Sequence, residues 1–223
     1  MKNRRWIAWG AGVYLAIIAV VAGALVLLTG AARDRLDEAL GERLRDTAVT
    51  AATLLSAEYG DSLTVWSLDP AAAENSLEFL WLTTRLDGLL QRNQLAEVTL
   101  CDPDGIVLHS ASGLLAAGGE NAFWQLDPEA VEEAREGFPA VSELYRRGDL
   151  FQKSAHAPLM DSAGRVAAIL TADGDATFFA TLRDLRRGAW ITGLSVVVLL
   201  FLLGMLLLRL QAVAERYRAT VQR

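Results

Sequence analysis

Apolar residues are arranged in three ways along this chain. Two stretches are unbroken: Trp6 to Thr29 is 24 residues without a charge, and Ala189 to Leu208 is 20 more. Each is long enough to cross a hydrocarbon core of roughly 30 Å as a helix. A second, helical periodicity follows the first stretch. Leu36, Leu40, Leu44, Ala48, Ala51, Leu55 and Tyr59 recur every three or four residues, while Arg33, Asp37, Glu42 and Arg45 take other faces. This predicts one amphipathic helix of about seven turns. Gly60, Asp61 and Ser62 read as a turn, and Leu63 to Leu68 as a short apolar stretch without a clear period. Asp69-Pro70 then supplies a cap and a first-turn proline for a second helix to about Arg92, with Leu77, Leu80, Trp81, Leu86, Leu89 and Leu90 as its apolar face.

The third arrangement is that of strands. Leu95 to Cys101 and Ile106 to Ala111 flank Asp102-Pro103-Asp104-Gly105, a tight turn with proline second and glycine last. Glycines 113, 118 and 119 mark a loop, and Asp127-Pro128 opens a helix to about Glu136. Strands resume over Ala140 to Arg146, Leu150 to Met160 and Arg165 to Ala172, separated by turns at 147–149 and 161–164. The turns at Asp102–Gly105 and Asp161–Gly164 share one solution, in which aspartate bonds its own backbone and glycine takes a positive φ. The expected fold class is α+β: two transmembrane helices flanking a domain with a long N-terminal stalk helix and a five-stranded antiparallel sheet.

Charge sharpens this division. Lys2, Arg4 and Arg5 stand alone in 1–5, four arginines face Glu215 in 209–223, and 30–188 holds 14 basic and 26 acidic residues. The net charges are +3, +3 and −12, so both short tails are expected in the cytoplasm and the acidic segment outside it. The expected organisation is a cytoplasmic tail (1–5), a first span (6–29), an extracytoplasmic domain (30–188), a second span (189–208) and a cytoplasmic helical tail (209–223) in a bacterial inner membrane. The rival reading of this terminus is a cleaved signal peptide, with a basic start and small residues at Gly30, Ala31 and Ala32, but the apolar run is much longer than the roughly 7–15 residues a signal peptide uses, so an uncleaved anchor is expected. An acidic soluble segment excludes a nucleic-acid binder. A single cysteine, Cys101, excludes an internal disulfide and is read as a small core residue. Two histidines and one cysteine offer no common zinc site, and no cofactor is expected.

The order of these elements, with the segments Val98 to His109, Gly137 to Ser142 and Ala155 to Asp173, resembles the extracytoplasmic Cache (PAS-like) sensor domains of bacterial sensor kinases, chemoreceptors and cyclases, over roughly 31–187. The resemblance implies a small-molecule pocket between the sheet and the loops after the second strand, and a signal passed through the membrane helices. Only 15 residues follow Leu208, and they contain no phosphoacceptor helix, nucleotide motif or catalytic constellation. The chain is therefore expected to be either the sensory portion of a receptor whose frame stops early or a subunit that modulates a separate kinase.

Candidate ligand-binding residues are Trp124, Tyr145, Arg146, Arg147, His156 and Asp173. Apolar walls with a few polar groups make a binding site, an arginine fork suits a carboxylate, and a histidine facing the ligand would make binding pH-dependent. The bland alternatives are a hydrogen-bonded strand position for His156 and a solvated hairpin tip for 145–149. Glu129, Glu132, Glu133 and Glu136 read as a solvated helix face. No catalytic residue is recognisable.

Small residues at Gly12, Ala16, Ala19 and Gly23 permit close contact of the first span with another helix, and Leu206, Leu210, Val213 and Tyr217 continue a coiled-coil spacing past the second. A homodimer through membrane helices and cytoplasmic coil is the expectation. The function expected is a transmembrane receptor module that senses a small molecule outside the cytoplasm. The alternative is a membrane-anchored assembly protein whose exported domain binds a protein partner.

Overall fold

The structure is a computed structural model that describes residues 2–68, 73, 76–148 and 150–176, with helical positions scattered through 191–214. Two compact units separate, Met1–Arg33 with Thr181–Arg223, and Asp34–Ala180. Asp69-Pro70, the stretch Thr177 to Arg187, much of the second span and most of the C-terminal tail lie outside the described residues. Among the described residues no helix is long and apolar enough to cross a membrane.

Helix α1 (Lys2–Leu68) is 67 residues long and runs through both the uncharged stretch and the predicted stalk. It does not turn at Gly60, as the sequence suggests. The glycine serves a close approach: a Cβ there would lie 2.1 Å from the Met160 carbonyl oxygen. Asp61 and Ser62 are likewise used in contacts, the Asp61 carboxylate accepting from Ser162 N–H at 2.8 Å and the Ser62 hydroxyl donating to Glu78 at 3.2 Å. Leu63 and Trp66 in the last turns are buried.

Helix α2 (Leu77–Asn93) begins at Ser76, whose hydroxyl accepts from Phe79 N–H, and ends at Gln94 in the left-handed conformation. Strands β1 (Glu97–Cys101) and β2 (Val107–Ser110) form the predicted hairpin, closed by Gly105 at φ +96°. A 3₁₀ turn (Ala122–Leu126) and α3 (Pro128–Arg135) follow, then β3 (Ala140–Val141), β4 (Tyr145–Arg147), β5 (Leu150–Met160) and β6 (Val166–Asp175).

The sheet is antiparallel, in the order β2-β1-β6-β5-β3 with β4 also paired to β5. Six strands replace the five expected because the run 140–146 breaks at Ser142. There the serine hydroxyl accepts from Ser154 N–H at 2.8 Å, a bond from side chain to backbone at the point where the ladder ends. Strand β6 extends beyond Ala172 because β1 and β5 flank it, pairing Glu97 with Asp173 and Gln152 with Asp175.

Alternation along the strands separates two faces. Val98, Leu100, Ala155, Ala157, Leu159, Leu170 and Ala172 pack on Leu44, Ala48, Leu55, Leu82 and Leu86 of α1 and α2. On the opposite face, Cys101, Val107 and Ile169 meet Trp124, Val131 and Ala134. That second cluster is smaller, and polar strand residues continue its face.

Candidate functional site

The polar part of this face comes from three neighbouring strands. Register places Thr99 opposite Thr171 and Thr171 opposite His156, with Asp173 opposite Ser154 in the adjoining row. Tyr145 reaches in from β4. Residues 121–127 cover them, and a cavity of ≈10 Å³ remains, lined by Thr99, Trp124, Asp127, Tyr145, His156 and Asp173 among others. That is about the space one water needs.

The covering segment is shaped by local bonds. Asn121 accepts from Phe123 N–H through its side chain at 3.0 Å and donates its own N–H to the Gly105 carbonyl at 2.8 Å. Trp124 lies on Gly105, where a Cβ would be 3.1 Å from the indole ring. Arg135 lies 5.4 Å above the same indole, and Arg147 lies 3.6 Å over the Phe123 ring. Asp127 stands at the cap position of α3, yet its side chain makes no cap bond. It turns toward His156 instead, with 3.5 Å between Oδ2 and Nε2.

Hydrogen bonds satisfy only part of this lining. Ser154 donates to Asp173 Oδ1 at 2.6 Å and lies 2.7 Å from the Tyr145 hydroxyl. His156 Nδ1 lies 2.9 Å from the Thr171 hydroxyl. Three buried atoms of this lining have no hydrogen-bond partner among the described residues: Trp124 Nε1, Asp127 Oδ2 and His156 Nε2. The 3.5 Å contact between the last two thus lacks hydrogen-bond geometry. Burial pushes the Asp173 carboxyl above the usual range, against the Ser154 bond and the nearby His156, which lower it. Burial also raises the Tyr145 phenol.

Four of the six sequence candidates, Trp124, Tyr145, His156 and Asp173, meet at this cavity. Arg146 is exposed and donates to the Gly148 carbonyl at 2.7 Å, while Arg147 stands at the rim over Phe123. Sequence reasoning misses Thr99, Ser154 and Thr171, whose signal is the period of two that places them on the face of His156 and Asp173. Asp127 is missed because aspartate before proline reads as a cap. His109 lies elsewhere, 3.0 Å from Asp87. Cys101 is fully buried, its thiol pushed up to about 12 by desolvation. Glu129, Glu132, Glu133 and Glu136 are exposed, and among the described residues no group of His, Cys, Asp and Glu is arranged to hold a metal ion.

No protein-family model matches the chain, and no curated protein matches it. Among solved structures it is similar to the sensor domain of the Vibrio cholerae histidine kinase DctB, at 18% identity and a TM-score of 0.46, over 68% of this chain and 56% of that one. It is also similar to the Escherichia coli DcuS sensor domain, at 12% identity and a TM-score of 0.42, over 63% and 98%. A third is the ligand-binding domain of the Campylobacter jejuni chemoreceptor Tlp3 in complex with 4-methylisoleucine, at 13% identity and a TM-score of 0.37, over 66% and 63%. The chain thus spans about half the length of the DctB domain. By their descriptions these are two sensor domains, one of them from a histidine kinase, and the ligand-binding domain of a chemoreceptor.

Proposed function

We propose that the unit from Asp34 to Ala180 is an extracytoplasmic sensor of a small polar molecule, held by membrane helices at 6–29 and 189–208 and reporting to a cytoplasmic kinase or similar output. The observation that carries it is the convergence of unpartnered buried atoms, Trp124 Nε1, Asp127 Oδ2 and His156 Nε2, on one cavity. Buried polar groups are nearly always bonded, and a cluster of exceptions favours a bound guest that completes them. The lining holds two carboxyl groups, Asp127 and Asp173, against one histidine. This favours a guest rich in hydrogen-bond donors or carrying a positive charge, in place of the carboxylate that an arginine site would select. Entry of anything larger than water requires the 121–127 cover to lift from the sheet.

Native mass spectrometry of the full chain in mild detergent tests the reading. A small molecule retained by the wild type and lost from Asp173→Asn and Trp124→Phe supports it. The same molecule retained by both variants, or none retained and none captured from a panel of amines, amino acids and polyols, overturns it.

One feature favours the assembly reading instead. Between α1 and α2 runs an open groove of ≈800 Å³, and Leu54 and Trp81 on its walls are each 64% exposed. Apolar patches of this kind mark protein contacts. Pull-down of one envelope protein, lost in Trp81→Glu but kept in Asp173→Asn, would place the function there.

A further inference from the structure

Strand β5 faces two ways at neighbouring residues. Ser154 and His156 line the cavity, and Lys153 turns to the other face. Its side chain is only 8% exposed, and its ammonium lies 2.8 Å from Asp37 Oδ1 on α1. The same Nζ donates to the Asp37 carbonyl oxygen at 3.1 Å. Asp37 Oδ1 receives no well-oriented bond in spite of the short distance, so the carbonyl takes the directed bond and the carboxylate supplies charge. Gly41, one turn further along α1, leaves room for this: a Cβ there would be 3.1 Å from Lys153 Cε. Opposite Lys153 on β6 stands Gly174, where a Cβ would be 2.9 Å from Leu44 of α1. The β5–β6 pair therefore touches α1 at Lys153 and Gly174. Each is the immediate neighbour of a cavity residue, Ser154 and Asp173.

An apolar side chain would fill this position at no electrostatic cost, because burying an ammonium requires a partner that compensates desolvation. A buried ammonium instead ties two elements together: if β5 moves, either α1 follows or the charge is left unpaired, which is strongly unfavourable. We propose that Lys153 is the positioning residue that couples the cavity to α1 through Asp37. This rests on the sensor reading above, but its test needs no ligand.

The test is peptide-resolved hydrogen exchange of the full chain in mild detergent, with Asp173→Asn as the cavity perturbation. In a wild-type background the substitution is expected to change exchange in residues 36–44 on the order of fivefold. In a Lys153→Met background, that response is expected to vanish while the β5–β6 peptides still respond, and Lys153→Arg is expected to restore it. A response at 36–44 that survives undiminished in Lys153→Met, or that is absent in the wild type, overturns the proposal. If Lys153→Met unfolds, the Lys153→Arg and Lys153→Gln pair decides, since only the first keeps the charge. Failure to find any ligand would count against the sensor reading and leave this coupling measurement intact.

Discussion

Ser154 donates a 2.6 Å hydrogen bond to Asp173 across the β5–β6 pair, and the Tyr145 hydroxyl lies 2.7 Å from the same serine oxygen. A serine hydroxyl has one proton, so with an ionised Asp173 the order runs from Tyr145 through Ser154 to the carboxylate. Burial holds Asp173 above the ordinary carboxyl range, against the Ser154 bond and the charges of His156 and Arg147, which act to lower it.

That direction fixes the sign of a pH effect. The folded state binds the Asp173 proton more tightly than the unfolded chain, so stability from this group is fully present below the ordinary carboxyl pKa and is lost as pH rises through the raised folded value. Asp173→Asn, neutral at every pH, is expected to melt above the wild type at pH 7, with the difference shrinking on acidification toward pH 4. Thermal melting of the full chain across that range measures it. A wild type that gains on the variant as pH rises would contradict the assignment.

Two glycines on neighbouring helices are expected to respond oppositely to alanine. Gly60→Ala puts a methyl 2.1 Å from the Met160 carbonyl and must push the β5–β6 turn off α1. A loss of about 1–3 kcal/mol is expected, as for other overpacked sites. Gly88→Ala on α2 meets nothing within 4 Å and should gain about 0.5–1 kcal/mol through helix propensity. Denaturant unfolding of both variants checks the contrast.

Glu97 is buried, and its carboxylate accepts from Val98 N–H, Ser112 N–H and the hydroxyls of Ser110 and Ser112. It clamps the loop after β2 to the start of β1. Glu97→Gln replaces one acceptor oxygen with a donor among these donors and is expected to destabilise by about 1–3 kcal/mol. Exchange in the peptide spanning 110–115 should rise more than in β6 if the loss is local to the clamp.

Most of the sheet is legible in the sequence because its turns are chemically marked. Aspartate and glycine at 102 and 105, and again at 161 and 164, fix where strands reverse, and the alternation around Ala155, Ala157 and Leu159 fixes which side is buried. What escapes is governed by contacts distant in sequence. Gly60 reads as a turn because its partner, the Met160 carbonyl, is 100 positions away. Ser142 gives no local sign that its hydroxyl takes a backbone bond from Ser154. At the candidate site, the aromatic, histidine and acidic residues are visible by type, whereas Asp127 is hidden by its resemblance to a helix cap. Arg147 is drawn out to the rim by the face of Phe123, which no spacing rule reveals.

Trp124→Phe keeps an aromatic ring at this position, removes the fused ring that lies against Gly105 and deletes the N–H that has no partner among the described residues. No hydrogen bond is lost, so the cost is that of the buried ring area alone, about 1–2 kcal/mol. A larger loss would mean that the indole nitrogen is already engaged.

The measurement closest to the central claim is the melting temperature of the full chain against a panel of small amines, amino acids, polyols and carboxylates, run in parallel on wild type, Trp124→Phe and Asp173→Asn. A guest at 100 times its dissociation constant stabilises the folded state by about 2.7 kcal/mol, a shift of several degrees. The account predicts that at least one donor-rich or cationic compound raises the wild-type value by that much and leaves both variants unmoved. A panel that moves none of the three, or moves all three alike, would contradict it.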